Sequence, residues 1–225
     1  MVHHINILVY YLHIPDGYLD PPLIISTYIL TAVYYIILTR SRRFNIDPEQ
    51  ISIITTLAAG IFVAQMLNWP IPGGTSLHFV GGVLASMITG PYIASLIMSL
   101  VLLIQCLIFH DGGITALGAN ILNMAIIDVW IGYLTYRSVR TFLGNRIGRD
   151  KTVFIGGLLG GWAGITIAGA VCGVEIGLSS LIPYGIMISL PIMAGWHAVL
   201  GVVEGLITGS VGYYLFTRDP KILRG

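Results

Sequence analysis

Pro91–Phe109 reads PYIASLIMSLVLLIQCLIF, nineteen positions without a charged side chain. A hydrocarbon core about 30 Å thick takes about 20 apolar helical residues to cross, so this stretch is read as a membrane span. Six more apolar segments flank it, at 22–39, 51–68, 78–90, 115–136, 152–172 and 186–216. The segment 78–90 is short for a full crossing and is expected to be tilted or broken at Gly90-Pro91, and Pro191 is placed to kink the last. Of the 225 residues, 56% are hydrophobic and 9% charged, whereas soluble domains carry about 25% charge. With a mean hydropathy of +0.86, the chain reads as an all-α polytopic membrane protein of about seven transmembrane helices, with no soluble domain attached.

Charge orients those crossings. All eleven Lys and Arg residues fall after span one (Arg40, Arg42, Arg43), between spans five and six (Arg137, Arg140, Arg146, Arg149, Lys151) or after span seven (Arg218, Lys221, Arg224). Seven crossings put every one on the same side, which the positive-inside rule makes cytoplasmic. The N-terminus is then expected outside and the C-terminus in the cytoplasm. The opposite face carries His13, Asp16, Asp20, His78, His110, Asp111 and Glu175, a set that attracts cations.

Several classes fall away. A net charge of +1 implies no nucleic-acid partner. Cys106 and Cys172 lie in apolar segments without CxxC or paired Cys/His spacing, which excludes a zinc finger and suggests buried, inert thiols. Residues 1–11 lack the basic start and small-residue cleavage site of a signal peptide. There is no HExxH, GxSxG or Walker motif. Asp128 and Glu204 are the acids well inside spans. Such carboxylates mark ion paths or polar contacts between helices, so Asp128 is either a proton site or an acid hydrogen-bonded to a neighbouring helix. Glu204 follows His197 by seven residues on roughly one helix face, and a structural hydrogen bond is expected of both. Glu175 is either solvated or a loop anchor. Gly156, Gly160 and Gly164, Gly157 and Gly161, and Gly60 with Ala64 have the four-residue spacing that lets membrane helices approach, either inside the bundle or against another subunit.

The histidines outside the spans bear most directly on function. His13 opens His13-Ile14-Pro15-Asp16-Gly17, and His78 closes Pro70-Ile71-Pro72-Gly73-Gly74-Thr75-Ser76-Leu77-His78. The latter is expected to be a fixed turn that enters a helix directly, with Thr75 or Ser76 as N-cap. A lone His at such a place is usually structural. Two from separate loops on one face form a candidate metal site.

Four ordered motifs now carry a resemblance: His13–Leu19 (HIPDGYL), Pro70–His78 (PIPGGTSLH), Asp111–Asn120 (DGGITALGAN) with Asn123-Met124-Ala125, and Gly201–Thr208 (GVVEGLIT). Together they resemble the CbiM/NikM family, the substrate-binding (S) component of cobalt/nickel energy-coupling factor transporters, over nearly all of residues 12–216. In that family the mature chain starts Met-His. The resemblance therefore implies four nitrogen ligands: the amine of residue 12, the amide and imidazole of His13, and the imidazole of His78. Amine with amide, and amide with imidazole, close five- and six-membered chelate rings. A planar nitrogen set suits Ni(II) or Cu(II), while Mg(II) and Ca(II) prefer oxygen. Asp16, Thr75, Ser76, Asp111 and Asn120 are implied to orient the ligands by hydrogen bonding.

Leu12 stands where the family has its initiating Met, and eleven residues precede it. A leucine codon used as a start is translated as Met, so the mature chain is expected to begin at position 12. Residues 1–11 are then an extension outside a single metal-binding membrane domain, 12–225. Were they retained, His3 and His4 would be substitute ligands. Leu77 replaces the family's usual Gly, and Asp128 its usual small residue.

The resemblance implies a capture subunit of an ATP-driven importer in a prokaryotic plasma membrane. It would work with a transmembrane coupling subunit, two ATP-binding cassette ATPases and a small accessory membrane protein. It would need no cofactor beyond its cargo, nickel or cobalt, with a lean to nickel. The alternatives are a proton-coupled secondary metal carrier using Asp128 and Glu204, or an intramembrane enzyme.

Overall fold

The computed structural model describes residues 13–41, 48, 50–72 and 75–224. The expectations for Leu12, His3, His4 and residues 1–11 lie outside them. The helices are α1 (Pro21–Arg40), α2 (Gln50–Gln65), α3 (Gly82–Thr89), α4 (Pro91–Ile108), α5 (Leu117–Ile121), α6 (Val129–Ile147), α7 (Arg149–Leu178) and α8 (Ile186–Arg218). A π-helical stretch, Leu122–Asp128, joins α5 to α6 in one rod. Among the described residues, five rods are long and apolar enough to cross a membrane: α1, α4, the rod Leu117–Ile147, α7 and α8. The sixteen residues of α2 reach about 24 Å, and the eight of α3 about 12 Å.

The third expected crossing is therefore composite. Its break falls where Gly90-Pro91 predicted it, with Gly90 at φ 84 ending α3 and Pro91 starting α4. Its other end corrects the expectation of a turn entering a helix at Thr75 or Ser76. Ser76–His78 forms a short strand, β2, antiparallel to β1 (Asn68–Pro70), and α3 starts only at Gly82 after the N-cap Gly81. Non-helical backbone at membrane depth survives only where protein satisfies its polar groups, and it does here. Glu204 accepts from Val80 N at 3.2 Å and Gly81 N at 2.8 Å, and Gln65 Nε2 donates to Val80 O at 2.9 Å. The structural hydrogen bond expected of Glu204 thus serves to anchor a broken helix.

The bundle is apolar outside, and its largely apolar interior also buries polar side chains. Large apolar side chains such as Ile37, Val63, Phe142 and Met187 stand exposed on the helices, the surface a bilayer covers. Inside, α1 buries few apolar groups and is tied by hydrogen bonds: Thr31 Oγ1 to Gly118 O at 2.9 Å, Tyr34 OH to Ser95 Oγ at 2.8 Å, and Trp130 Nε1 to Tyr34 OH at 2.8 Å. Such bonds hold membrane helices together at about 1 kcal/mol each. The α7 glycines pack within the bundle. A Cβ on Gly160 would sit 2.7 Å from Gly132 O on α6, and one on Gly161 2.9 Å from Gly205 Cα on α8. Gly60 has nothing within 4 Å of such an atom and lies on the exposed side of α2.

Contacts fix which helix ends share a side. Asp20, the N-cap of α1, accepts from Ser180 N at 3.0 Å beyond the end of α7. Arg224 N, beyond α8, donates to Met87 O near the end of α3 at 2.7 Å. The end of α1, the start of α7 and the end of α8, which carry Arg40, Arg149, Lys151 and Arg218, therefore lie opposite the end where Asp16 and Asp20 gather.

Candidate metal site

The segment after residue 12 is threaded into the bundle rather than laid over it. Asn120 clamps Ile14 with two bonds, Ile14 N to Oδ1 and Nδ2 to Ile14 O, each 3.1 Å. Gly113 N adds a third to Ile14 O at 2.9 Å. One residue pair on, Asp16 accepts from Thr115 N at 2.8 Å and Thr115 Oγ1 at 2.5 Å. The Thr115 hydroxyl foremost, aided by the amides of Thr115 and Ile114, holds the Asp16 carboxyl below its usual range against the opposing effect of burial. Asp20 is lowered too, first by the Ser180 amide. The Asp111-Gly112-Gly113 turn makes room. Gly112 has φ +89, and a Cβ there would lie 3.0 Å from His13 Cβ.

This seating brings His13 and His78 together. Their rings stand edge to face, centroids 5.0 Å apart and planes at 81°. Both are buried, His13 to 3% and His78 to 5% exposure, so His78 is not a surface-loop residue. His78 Nδ1 is 2.8 Å from Phe79 O. A carbonyl only accepts, so Nδ1 carries the proton and Nε2 keeps the lone pair that ligates metals. His13 Nδ1 lies 3.5 Å from Asp111 O and 3.9 Å from Asp111 Oδ1, a loose hold. Its Nε2 is buried without a hydrogen-bond partner among the described residues. Burial, and next the neighbouring His78, push the His13 imidazole well below its ordinary value, against a smaller upward pull from the Asp111 carbonyl. The ring is neutral at pH 7, as a ligand must be.

Both imidazoles face a cavity of about 40 Å³, which Thr75, Ser76 and Asn120 also line. That is room for a water-sized occupant. The structure thus groups His13, His78, Thr75, Ser76, Asp111 and Asn120, with Asp16 a step away holding the segment. His110 is exposed, outside the cavity. Among the described residues no three His, Cys, Asp or Glu side chains converge on one point. Two imidazoles alone would need donors of another kind, such as backbone nitrogen.

Sequence reasoning did not find the other wall. His197 and Asn123 line the same cavity. Its signal was an imidazole inside a membrane helix, which by default faces a polar interior. Glu175 is buried and accepts from Asn123 Nδ2 at 2.6 Å, so it is not solvated. Asp128, 1% exposed, has no hydrogen-bond partner for either oxygen among the described residues, which removes the expected bond to a neighbouring helix. Cys106 and Cys172 are free and buried.

Apolar rods long enough to cross a membrane, with two buried imidazoles facing one small cavity among them, define a multi-pass membrane protein with a candidate metal site. The particular family follows from similarity: the chain belongs to the CbiM/NikM family of nickel/cobalt transport proteins, the family described as cobalt uptake substrate-specific transmembrane region matching residues 13–222. A relative in Archaeoglobus fulgidus, named for fused nickel transport (NikMN), is 48% identical over 94% of this chain and 68% of its own length. One in Haloquadratum walsbyi, named for metal transport, is 42% identical over 94% of this chain and 93% of its own. The crystal structure of a truncated transition metal transporter superposes with a TM-score of 0.82 at 34% identity, covering 92% of this chain and 99% of that one.

Proposed function

We propose that this chain is the capture subunit of an ATP-driven importer of the energy-coupling factor type, binding Ni(II) or Co(II) between His13 and His78. The observation that carries the reading is the pairing of two buried imidazoles that face one small cavity. Nitrogen donors favour late divalent transition metals over Mg(II) and Ca(II). The remaining donors are the amide of His13 and the amine that a chain beginning at residue 12 would present. Asn120 and Asp16 hold the segment that carries them, Thr75 and Ser76 border the ion, and Asp111 orients the His13 ring. The single domain is 12–225, and the cation-rich end faces the cytoplasm.

The chain carries no nucleotide-binding motif, so release inward needs a coupling subunit and two ATPases, with a small accessory membrane protein. Uptake of radiolabelled nickel in cells tests this. Uptake should require co-expression of the coupling and ATPase subunits and stop when ATP hydrolysis is blocked. Uptake by the chain alone in liposomes, driven by a pH gradient, would instead support a proton-coupled carrier. That rival uses Asp128 and Glu204, and Glu204 is already committed to Val80 and Gly81.

A further inference from the structure

The cavity has a second donor-bearing wall, opposite in role to the capture pair. His197 on α8 lines it at 7% exposure. Its Nδ1 is 2.7 Å from the Met193 carbonyl oxygen, so Nδ1 carries the proton and Nε2 keeps its lone pair. The ring is seated on α7 at Gly169, where a Cβ would come within 2.7 Å of His197 Nδ1. Asn123 lines the same space. Its amide nitrogen is committed to Glu175 at 2.6 Å, and its buried Oδ1 has no hydrogen-bond partner among the described residues. An orphaned buried acceptor is costly and calls for an unseen partner, and a cation is one.

These atoms do not join His13 and His78 in one coordination sphere, because no three such side chains converge among the described residues. They face the same small cavity from another wall. A tightly held ion leaves slowly unless a neighbouring, weaker site accepts it.

We propose that His197 Nε2, with Asn123 Oδ1, forms a second and weaker station that takes the cation from His13 and His78 as it leaves the capture site. The transfer is a ligand exchange. A metal–nitrogen bond to the capture pair breaks as one to His197 forms, no electrons change hands, and the His13 amide that lost a proton on binding takes one back from water as the ion leaves. This inference rests on the capture reading above.

The test pairs binding with transport, using Ni(II) as the probe. His197→Ala removes the whole ring. His197→Asn keeps a donor for the Met193 carbonyl but loses the ligating nitrogen. Nickel titration of each purified full-length chain is compared with nickel uptake in cells that hold the partner subunits. Both variants should bind nickel within about threefold of wild type and lose at least about tenfold in uptake. Wild-type uptake by His197→Asn would overturn the proposal, reducing the ring to a hydrogen bond. Loss of affinity alongside uptake would also overturn it, placing the ring in the capture site or the fold. His78→Ala, titrated in parallel, tells the two failures apart: unchanged affinity there would sink the capture reading and with it the transfer, whereas wild-type uptake by His197→Asn beside weakened binding by His78→Ala would sink the second station alone.

Discussion

Asn120 shows how a single amide governs a site it does not enter. It spends both ends of its side chain on Ile14, and Ile14 is next to His13. Asn120→Ala would leave the Ile14 backbone, among the described residues, with only the Gly113 bond and let His13 drift from His78. The expected cost, read by nickel titration, is about 10- to 100-fold in affinity, the range for groups that orient metal ligands. Acidity tests the same neighbourhood. Because burial lowers the His13 imidazole, its neutral form is favoured in the folded state. The stability this brings is present above about pH 6.5, the unfolded value, and is lost as pH falls from there through the lowered folded value. His13 thus holds no proton to displace at neutral pH. Any fall in nickel affinity between about pH 8 and pH 7 should come from the ligating amide, roughly tenfold per unit for one displaced proton. Titrations across that range check it, and a flat profile would remove the amide from the ligand set. The residue scale was legible in part. His13 and His78 stood out because each borders a Pro/Gly-rich stretch of sequence. His197 did not, because its spacing to Glu204 on one helix face pointed to a structural hydrogen bond, which it makes to Met193 O, and not to the cavity it also lines.

At the scale of elements, the decisive feature is the short α3 with its extended approach. Gly90-Pro91 announced one end, since glycine at positive φ and proline at a helix start both punctuate helices. The strand pair Asn68–Pro70 with Ser76–His78 stayed hidden, because three-residue strands are too brief to show alternation, and the same Pro and Gly residues suit a turn into a helix. The interruption is what inserts His78 into the bundle, and Glu204 makes it affordable by binding two otherwise unpaired amides. Glu204→Leu should destabilise the protein by about 1–3 kcal/mol for each amide left unsatisfied, while Glu204→Gln, whose amide oxygen still accepts, should lose less. Thermal unfolding in detergent separates them. Equal stability of the two variants would show that Glu204 does not support the break.

Over the whole molecule, the arrangement is a membrane bundle whose two ends differ in charge. Acids and the threaded segment gather at one end and arginines at the other, with the imidazole pair buried between. The membrane-spanning character of the chain and the clustering of cations were legible because hydropathy and charge are properties of runs of residues, whereas seven apolar segments stand against five rods long enough to cross among the described residues. The depth of the site was not, because it depends on where a loop folds inward. The central claim is that His13 and His78 hold the cargo jointly. The most direct measurement is calorimetric titration of Ni(II) and Co(II) into the purified chain whose mature N-terminus has been verified by intact mass, alongside His13→Ala and His78→Ala. The predicted result is tight binding of one ion per chain, weakened at least about 100-fold by either substitution. Unchanged affinity for both metals in both variants would contradict the account.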